Sequence, residues 1–274
     1  MEDTIHRVCS KGDTEGLVNM LKKKGKKLIL SQDEEYLQTP LHICCEKGND
    51  EMVSIILNEK YKTKHLLNST DKNGWTPLHS ACKSSSLNVI DTLINKGAKC
   101  SLLTNEGASP LHYLIRNEYA DTLKFQDIVR HFIKNLPVNT SNKFGETPLH
   151  QAAMRGKSKN VLTLLYNGAD PNILTNNGES ALYFAIRGNH KSAVNILLQN
   201  KADPTMLNPK LGSLYAVAKE FECEEIQQIL IQWYVNNKIP LISEMQADLD
   251  RFPPITASNC ENAVRKPIVT MVSR

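Results

Sequence analysis

The chain has 274 residues, of which 41% are hydrophobic and 23% are charged, as is ordinary for a folded, water-soluble protein. Its net charge of +4 is too small to predict nucleic-acid binding. No apolar run approaches the roughly 18 residues that a membrane span requires, and the polar residues 1–4 do not resemble the start of a signal peptide. We therefore predict a protein that does not insert into membranes and works in the cytoplasm or the nucleus.

A helix-turn-helix pair is predicted at the start of the chain. Apolar residues stand at positions 5, 8 and 9, a glycine follows at position 12, and apolar residues return at positions 17, 18, 20 and 21. This spacing is typical of two short amphipathic helices separated by a glycine turn.

A four-residue phrase, Thr-Pro-Leu-His, then recurs along the chain. It begins at Thr39, Thr76 and Thr147, with a near copy at Ser109 and a looser one, Ser-Ala-Leu-Tyr, at Ser180. The starts are 37, 33, 38 and 33 residues apart, which fits a repeat of about 33 residues with some insertions. A hydroxyl residue suits a helix N-cap and proline suits the first helical position, so each copy predicts a helix start.

Each phrase leads into a second helix and a turn that contains glycine. In the clearest repeat, residues 142–145 form a turn, 147–155 a first helix and 160–165 a second helix. Gly145 stands where a positive φ is needed, which is costly for a residue with a Cβ. The fourth repeat departs from this pattern, because about six residues within 117–127 are inserted between its two helices.

The chain ends in one more helix pair and a tail that contains prolines. Apolar residues at 214–218 and at positions 226, 229 and 230 predict the pair, and the polar residues among them suit an end repeat that faces water. We place a domain of about seven repeats, including atypical first and last ones, at residues 1–235. Residues 236–274 are predicted to be a partly extended or disordered tail, with one short helix at 243–250 that starts from a Ser243 cap.

The phrase and its period resemble the ankyrin repeat, and residues 168–172 are similar to the Gly-Ala-Asp-x-Asn loop of that family. The resemblance implies an all-α solenoid of helix-turn-helix units joined by β-turn fingers. It also implies that the histidine of the phrase hydrogen-bonds near the Thr hydroxyl and the adjoining backbone, and so ties one repeat to the next. Such solenoids usually hold other proteins.

The function implied is protein binding, as a scaffold, adaptor or targeting subunit that is monomeric apart from its partner. The alternative is a regulator that binds and inhibits a partner enzyme, and both would use the same surface. An enzyme is the third and least favoured class, because the chain has no Gly-rich phosphate loop, H-E-x-x-H or G-x-S-x-G motif.

No cofactor or metal is predicted for this chain. Cys9, Cys44, Cys45 and Cys82 take the small, buried positions of the repeat, where a thiol behaves as a small apolar group. No C-x-x-C pair is present to complete a zinc site.

Binding residues are predicted at the turn tips and at the exposed ends of the first helices, which line a concave face in ankyrin proteins and usually carry recognition. Trp75 and Phe144 stand out because exposed aromatic residues flanked by Arg are typical of interface anchors. The alternative is that each ring packs on a neighbouring turn. The predicted contacts are Lys72, Asn73, Trp75, Asn105, Glu106, Arg116, Asn117, Lys143, Phe144, Glu146, Met154, Arg155, Asn176, Asn177, Glu179 and Arg187.

Overall fold

The fold is known from a computed structural model, which describes residues 4–61, 64–117, 123–208, 210 and 212–249. Within these ranges the chain forms fifteen α-helices, three short 3-10 helices and two isolated β-bridges, with no strand. The predicted all-α class is confirmed.

The helices belong to two compact units, one that ends at Ala202 and one that begins at Asp203. In the first unit the odd-numbered helices contact one another in sequence, from α1 to α11, and form one layer, while the even-numbered helices form the other. The second unit holds the last three helices. The helices are α1 Ile5–Lys11, α2 Thr14–Lys24, α3 Pro40–Glu46, α4 Asp50–Ile56, α5 Pro77–Ser84, α6 Leu87–Asn95, α7 Pro110–Leu114, α8 Leu123–Asn135, α9 Pro148–Met154, α10 Ser158–Tyr166, α11 Ala181–Arg187, α12 Lys191–Gln199, α13 Leu214–Glu220, α14 Glu224–Asn236 and α15 Ser243–Asp248.

The repeated phrase starts a helix at every copy, as predicted. Thr76 shows how: its hydroxyl accepts from the backbone N–H of His79, and its own backbone N–H donates to Nδ1 of the same histidine. The same reciprocal capping occurs at Thr39, Ser109 and Thr147, each followed by proline. The caps satisfy backbone groups that a helix start would otherwise leave unpaired.

The histidine of the phrase also joins each repeat to the next one, as the resemblance implied. Because Nδ1 accepts a backbone N–H, the ring proton lies on Nε2, which donates to a carbonyl oxygen of the following repeat. This histidine ladder consists of His42 to Trp75 O at 3.0 Å, His79 to Ala108 O at 3.2 Å, His112 to Glu146 O at 3.1 Å and His150 to Ile173 O at 3.0 Å.

Burial keeps the imidazoles of the ladder neutral near pH 7. It lowers the pKa of His79 and of His112 to about 4, since a charged ring would lose its hydration there. The pKa values of His42 and His150 are lowered for the same reason. The ladder therefore depends on uncharged rings, each accepting on one nitrogen and donating on the other.

The core lies between the two helix layers. Cys44, Cys45 and Cys82 are fully buried in α3 and α5, which agrees with the prediction that they pack as small apolar groups. Burial raises the pKa of the Cys45 and Cys82 thiols well above the ordinary range, so both stay protonated. The leucines of the phrase are likewise no more than 3% exposed: Leu41, Leu78, Leu111, Leu149 and Leu182.

The turns between repeats form fingers that are hydrogen-bonded to one another. A Cβ on Gly74 would lie 2.7 Å from the backbone N of Asn105, so a glycine is needed where adjacent fingers approach. One finger was not predicted, at residues 33–38, and it carries Leu37 at φ 58° where the later fingers have glycine. The bonds between fingers run from Lys72 N to Tyr36 O, Asn105 N to Asn73 O, Lys143 N to Glu106 O and Asn176 N to Phe144 O, at 2.8–2.9 Å.

The fourth repeat has a short first helix, α7, and a side chain of the next repeat hydrogen-bonds to the backbone that follows it. The buried Asn160 side chain donates to the carbonyl oxygens of Ile115, at 2.9 Å, and Asn117, at 2.6 Å, just beyond the helix end. These bonds satisfy carbonyls that the end of a helix leaves unpaired. Most of the predicted insertion, residues 118–122, lies outside the described residues.

The described part of the tail belongs to the second unit and packs on α13. The predicted short helix is present as α15, but the prediction of a Ser243 cap is wrong, because Ile242 is the N-cap residue and makes no side-chain bond. Asp248 is buried and accepts from the Tyr215 hydroxyl and the Lys219 ammonium, both at 2.9 Å. Residues 250–274 lie outside the described residues, and the domain boundary at 235 stays a prediction.

Candidate protein-binding face

All sixteen predicted contact residues lie at the finger tips or at the ends of the first helices. We call this surface the concave face, the shape that the resemblance implies. None of the sixteen residues is buried. Ten are exposed, and Trp75, Arg116, Asn117, Glu146, Met154 and Glu179 are half-buried. The face is therefore open to a partner along repeats three to six.

Trp75 is not the freely exposed ring that the sequence predicted. Its ring is half-buried and lies 4.3 Å, centroid to centroid, from that of Tyr113 in the next repeat. The tyrosine supplies the packing partner that a turn tip normally lacks. Phe144, by contrast, is 55% exposed, and it retains the character expected of an interface anchor.

Two cations flank this aromatic pair. The Lys83 ammonium lies 5.6 Å from the centre of the Trp75 ring, and the Arg116 guanidinium lies 5.1 Å from the centre of the Tyr113 ring. Both distances fall within the range of cation–π attraction. Lys83 also pairs with Glu46 at 2.9 Å, so the contacts extend into repeat two.

A chain of hydrogen bonds continues into repeat five. Arg116 Nε donates to Gln151 Oε1, and Gln151 Nε2 donates to Glu146 Oε2, both at 2.8 Å. Asn142 Nδ2 donates to the same carboxylate oxygen at 2.8 Å. Burial is the main cause that lowers the pKa of Arg116, and the neighbouring charge of Arg155 lowers it further. Side chains of four repeats thus form one contacting series. It runs from Glu46 through Lys83, Trp75, Tyr113, Arg116, Gln151 and Glu146 to Asn142.

Two cavities lie on this face. The first, of about 350 Å³, includes the predicted contacts Asn73 and Trp75 in its lining. The second, of about 490 Å³, brings the predicted Arg116, Asn117 and Arg155 together. The other predicted contacts line neither cavity.

Three residues of the second cavity were not predicted: Lys83, Tyr113 and Lys157. Lys83 could have been predicted from the repeat register, because it follows Thr76 by seven residues, the same interval at which Arg116 follows Ser109. The equivalent position is also a cation at Arg187, whereas it is Glu46 in repeat two and Met154 in repeat five. The other two unpredicted residues depend on how the repeats stack.

A metal site and a membrane-crossing helix are both absent from the part of the chain that the structure describes. It contains no group of three or more His, Cys, Asp or Glu side chains placed to hold a metal ion. Nor does it contain a helix with the length and apolar character to cross a membrane.

The family comparison agrees with the repeat architecture. The family "Ankyrin repeats" matches the chain three times, at residues 5–104, 60–126 and 123–208, which together exceed half its length. The chain belongs to the ankyrin-repeat family. Ankyrin repeats are protein–protein interaction modules, so the general kind of function follows from membership.

Individual relatives match this ankyrin-repeat protein over shorter stretches. An "IkB-like protein" of African swine fever virus (isolate Tick/South Africa/Pretoriuskop Pr4/1996) is 41% identical over 68 residues, 24% of this chain and 28% of the viral protein. Human "Ankyrin repeat and SOCS box protein 16" is 37% identical over 92 residues, 34% of this chain and 19% of that protein. The "Putative ankyrin repeat protein L92" of Acanthamoeba polyphaga mimivirus is 31% identical over 93 residues, 34% of this chain and 22% of the relative. The chain thus spans less than a third of the length of each.

Proposed function

We propose that this ankyrin-repeat protein is a non-enzymatic scaffold, adaptor or targeting subunit that binds a protein partner on its concave face. The observation that carries the proposal is the contacting series from Glu46 to Asn142, through the Trp75–Tyr113 pair. Side chains already held in place lose little rotamer freedom when a partner binds. We further propose that the protein acts in the cytoplasm or nucleus and is monomeric apart from its partner.

The exposed finger tips add the second kind of surface that a protein interface uses. Phe144 stands beside the exposed Lys143 on one finger, and Asn176 and Asn177 follow on the next. An aromatic residue surrounded by polar groups is typical of an anchor within a polar rim. The sixteen contact residues remain the candidate interface.

A second candidate function is a regulator that binds and inhibits a partner enzyme. The similarity to viral proteins called "IkB-like" favours a regulatory role, although it covers only the part of the chain reported above. This candidate uses the same face, so an assay of the captured partner's activity distinguishes it from a scaffold.

Affinity capture with matched variants tests the face. The baits are the full chain, the finger variant Lys143→Ala/Phe144→Ala, and the control Arg130→Ala, which removes a side chain that is 59% exposed on α8. We expect the finger variant to recover at least about tenfold less of a specific partner than the full chain does. The control variant should recover as much of that partner as the full chain. Equal recovery of every partner by all three baits would contradict the proposal.

A further inference from the structure

The second cavity of the concave face is lined by four cations. Lys83, Arg116, Arg155 and Lys157 surround a space of about 490 Å³, and the other lining residue types are tyrosine and asparagine, with no carboxylate. We propose that this basic cavity receives an acidic segment, rich in Asp and Glu, of the partner protein. The proposal rests on the proposed function and names the chemistry of the partner.

The cations are held together at a cost that an anion would relieve. Arg116 is fixed by Gln151 and by the Tyr113 ring, and its charge lies close enough to that of Arg155 for the two to repel. Like charges gathered in a cleft raise the local potential and attract groups of opposite charge. An entering carboxylate gains charge-assisted hydrogen bonds and reduces this repulsion.

The carboxylates near the cavity offset only part of its charge: Glu146 and Glu106 stabilise the charged form of Arg116, but neither lines the cavity. Glu146 accepts from Asn142 and Gln151, and its carboxylate is not among the lining groups. Glu46 pairs with Lys83, and the two side chains are 38% and 57% exposed. Such a surface ion pair contributes little and exchanges readily for a partner's carboxylate.

The arrangement favours an extended segment over a single small anion. Lys83 lies on α5, Arg116 follows α7, and Arg155 and Lys157 follow α9, so the charges come from three successive repeats. Several carboxylates along one chain can meet them together. Lys83 also lines the neighbouring Trp75 cavity, where an apolar side chain of the same segment would lie against the aromatic ring.

Peptide selection on the full chain tests the proposal. Random 12-residue peptides are displayed and selected on the wild-type protein, and we expect several-fold enrichment of Asp and Glu. A synthesised winner should bind at least about tenfold more weakly to Lys83→Gln/Arg155→Gln, since each lost charged contact is worth about tenfold. Its affinity should change less than about twofold for the matched control Arg130→Gln, and should fall as sodium chloride is raised.

These variants spare Arg116, which donates to Gln151, and their melting temperatures are measured to establish that they fold. The single variant Arg155→Gln gives the same readout from an exposed side chain if the double variant melts early. Selection without acidic enrichment would overturn the proposal. So would equal binding to the double variant, or binding at least about tenfold tighter by a phosphoserine version of the peptide or by a short single-stranded DNA.

The proposal of a binding face and the proposal of an acidic segment can be refuted independently of each other. If affinity capture shows that the finger variant loses a partner that Lys83→Gln/Arg155→Gln retains, the acidic segment is refuted and the concave face stands. If both variants retain every partner, both proposals are wrong.

Discussion

Mild acid is predicted to weaken this protein through its histidine ladder. The unfolded chain takes up protons at the ordinary pKa of 6.5, whereas the folded chain takes them up at His79 and His112 only near the lowered pKa of about 4. Between these values the unfolded state binds more protons, so stability falls as pH falls. Each histidine is expected to remove about 2 kcal/mol from the free energy of unfolding between pH 7 and pH 5.

The physical cause is specific to the geometry. Protonation places a hydrogen on Nδ1, which must accept the backbone N–H of Thr76 in the case of His79 and of Ser109 in the case of His112. The capping bonds and the buried neutral ring are therefore lost together. The lowered pKa values of His42 and His150 add to the effect in the same direction.

Urea unfolding followed by circular dichroism, at intervals from pH 7 to pH 5, measures this loss. His79→Gln should cost about 1–3 kcal/mol at pH 7, because buried hydrogen-bond partners are left unpaired. It should also reduce the pH dependence by about 1 kcal/mol per pH unit near pH 5. The control His131→Gln changes an exposed residue on α8 that lies outside the ladder, and its slope is compared with that of His79→Gln. A wild-type stability that stays constant down to pH 5, or an unchanged slope in His79→Gln, would refute the reasoning.

Four further substitutions test other features. Phe144→Ala should weaken partner binding by about 1 kcal/mol or more without altering the melting temperature, whereas Trp75→Ala should weaken binding and also lower stability. Binding titration and thermal melting measure the two effects, and a lowered melting temperature in Phe144→Ala would contradict the prediction. Leu37→Gly should raise the free energy of unfolding by about 0.5–1 kcal/mol in urea, since φ is 58° there; a decrease would count against strain. Gly188→Ala should lower it by about 1–3 kcal/mol, because a Cβ would overlap the His190 ring; unchanged stability would show that the ring moves aside.

Much of the fold was predictable because it depends on contacts between residues that are close together in the chain. The hydroxyl, proline and glycine positions start and end helices through contacts within a few residues, and the 33-residue spacing brings equivalent positions into one stack. The finger at 33–38 was missed because Leu37 takes the place of the expected glycine. The Ser243 cap was misassigned by one residue, because a sequence pattern locates the end of a helix only to within one or two residues.

The candidate site was only partly predictable. The position of Phe144 at a finger tip followed from the repeat register, and its exposure agrees with that position. The Trp75 ring was misjudged because its packing partner, Tyr113, lies 38 residues away in the chain. A turn residue's surroundings are set by the neighbouring repeat, which no local pattern describes.

The sequence by itself determined the helices of the repeats, the caps at the repeated phrase and the repeat itself, because each depends on short-range chemistry repeated at a fixed interval. That the histidines join one repeat to the next was implied by the resemblance to the ankyrin repeat. Only the tertiary structure decided which side chains meet across repeats: the Trp75–Tyr113 pair, the bonds from Arg116 to Gln151 and Glu146, and the cavity shared by Lys83 and Arg155. These contacts depend on the rotation and spacing between stacked repeats, and small changes in either would separate the charges.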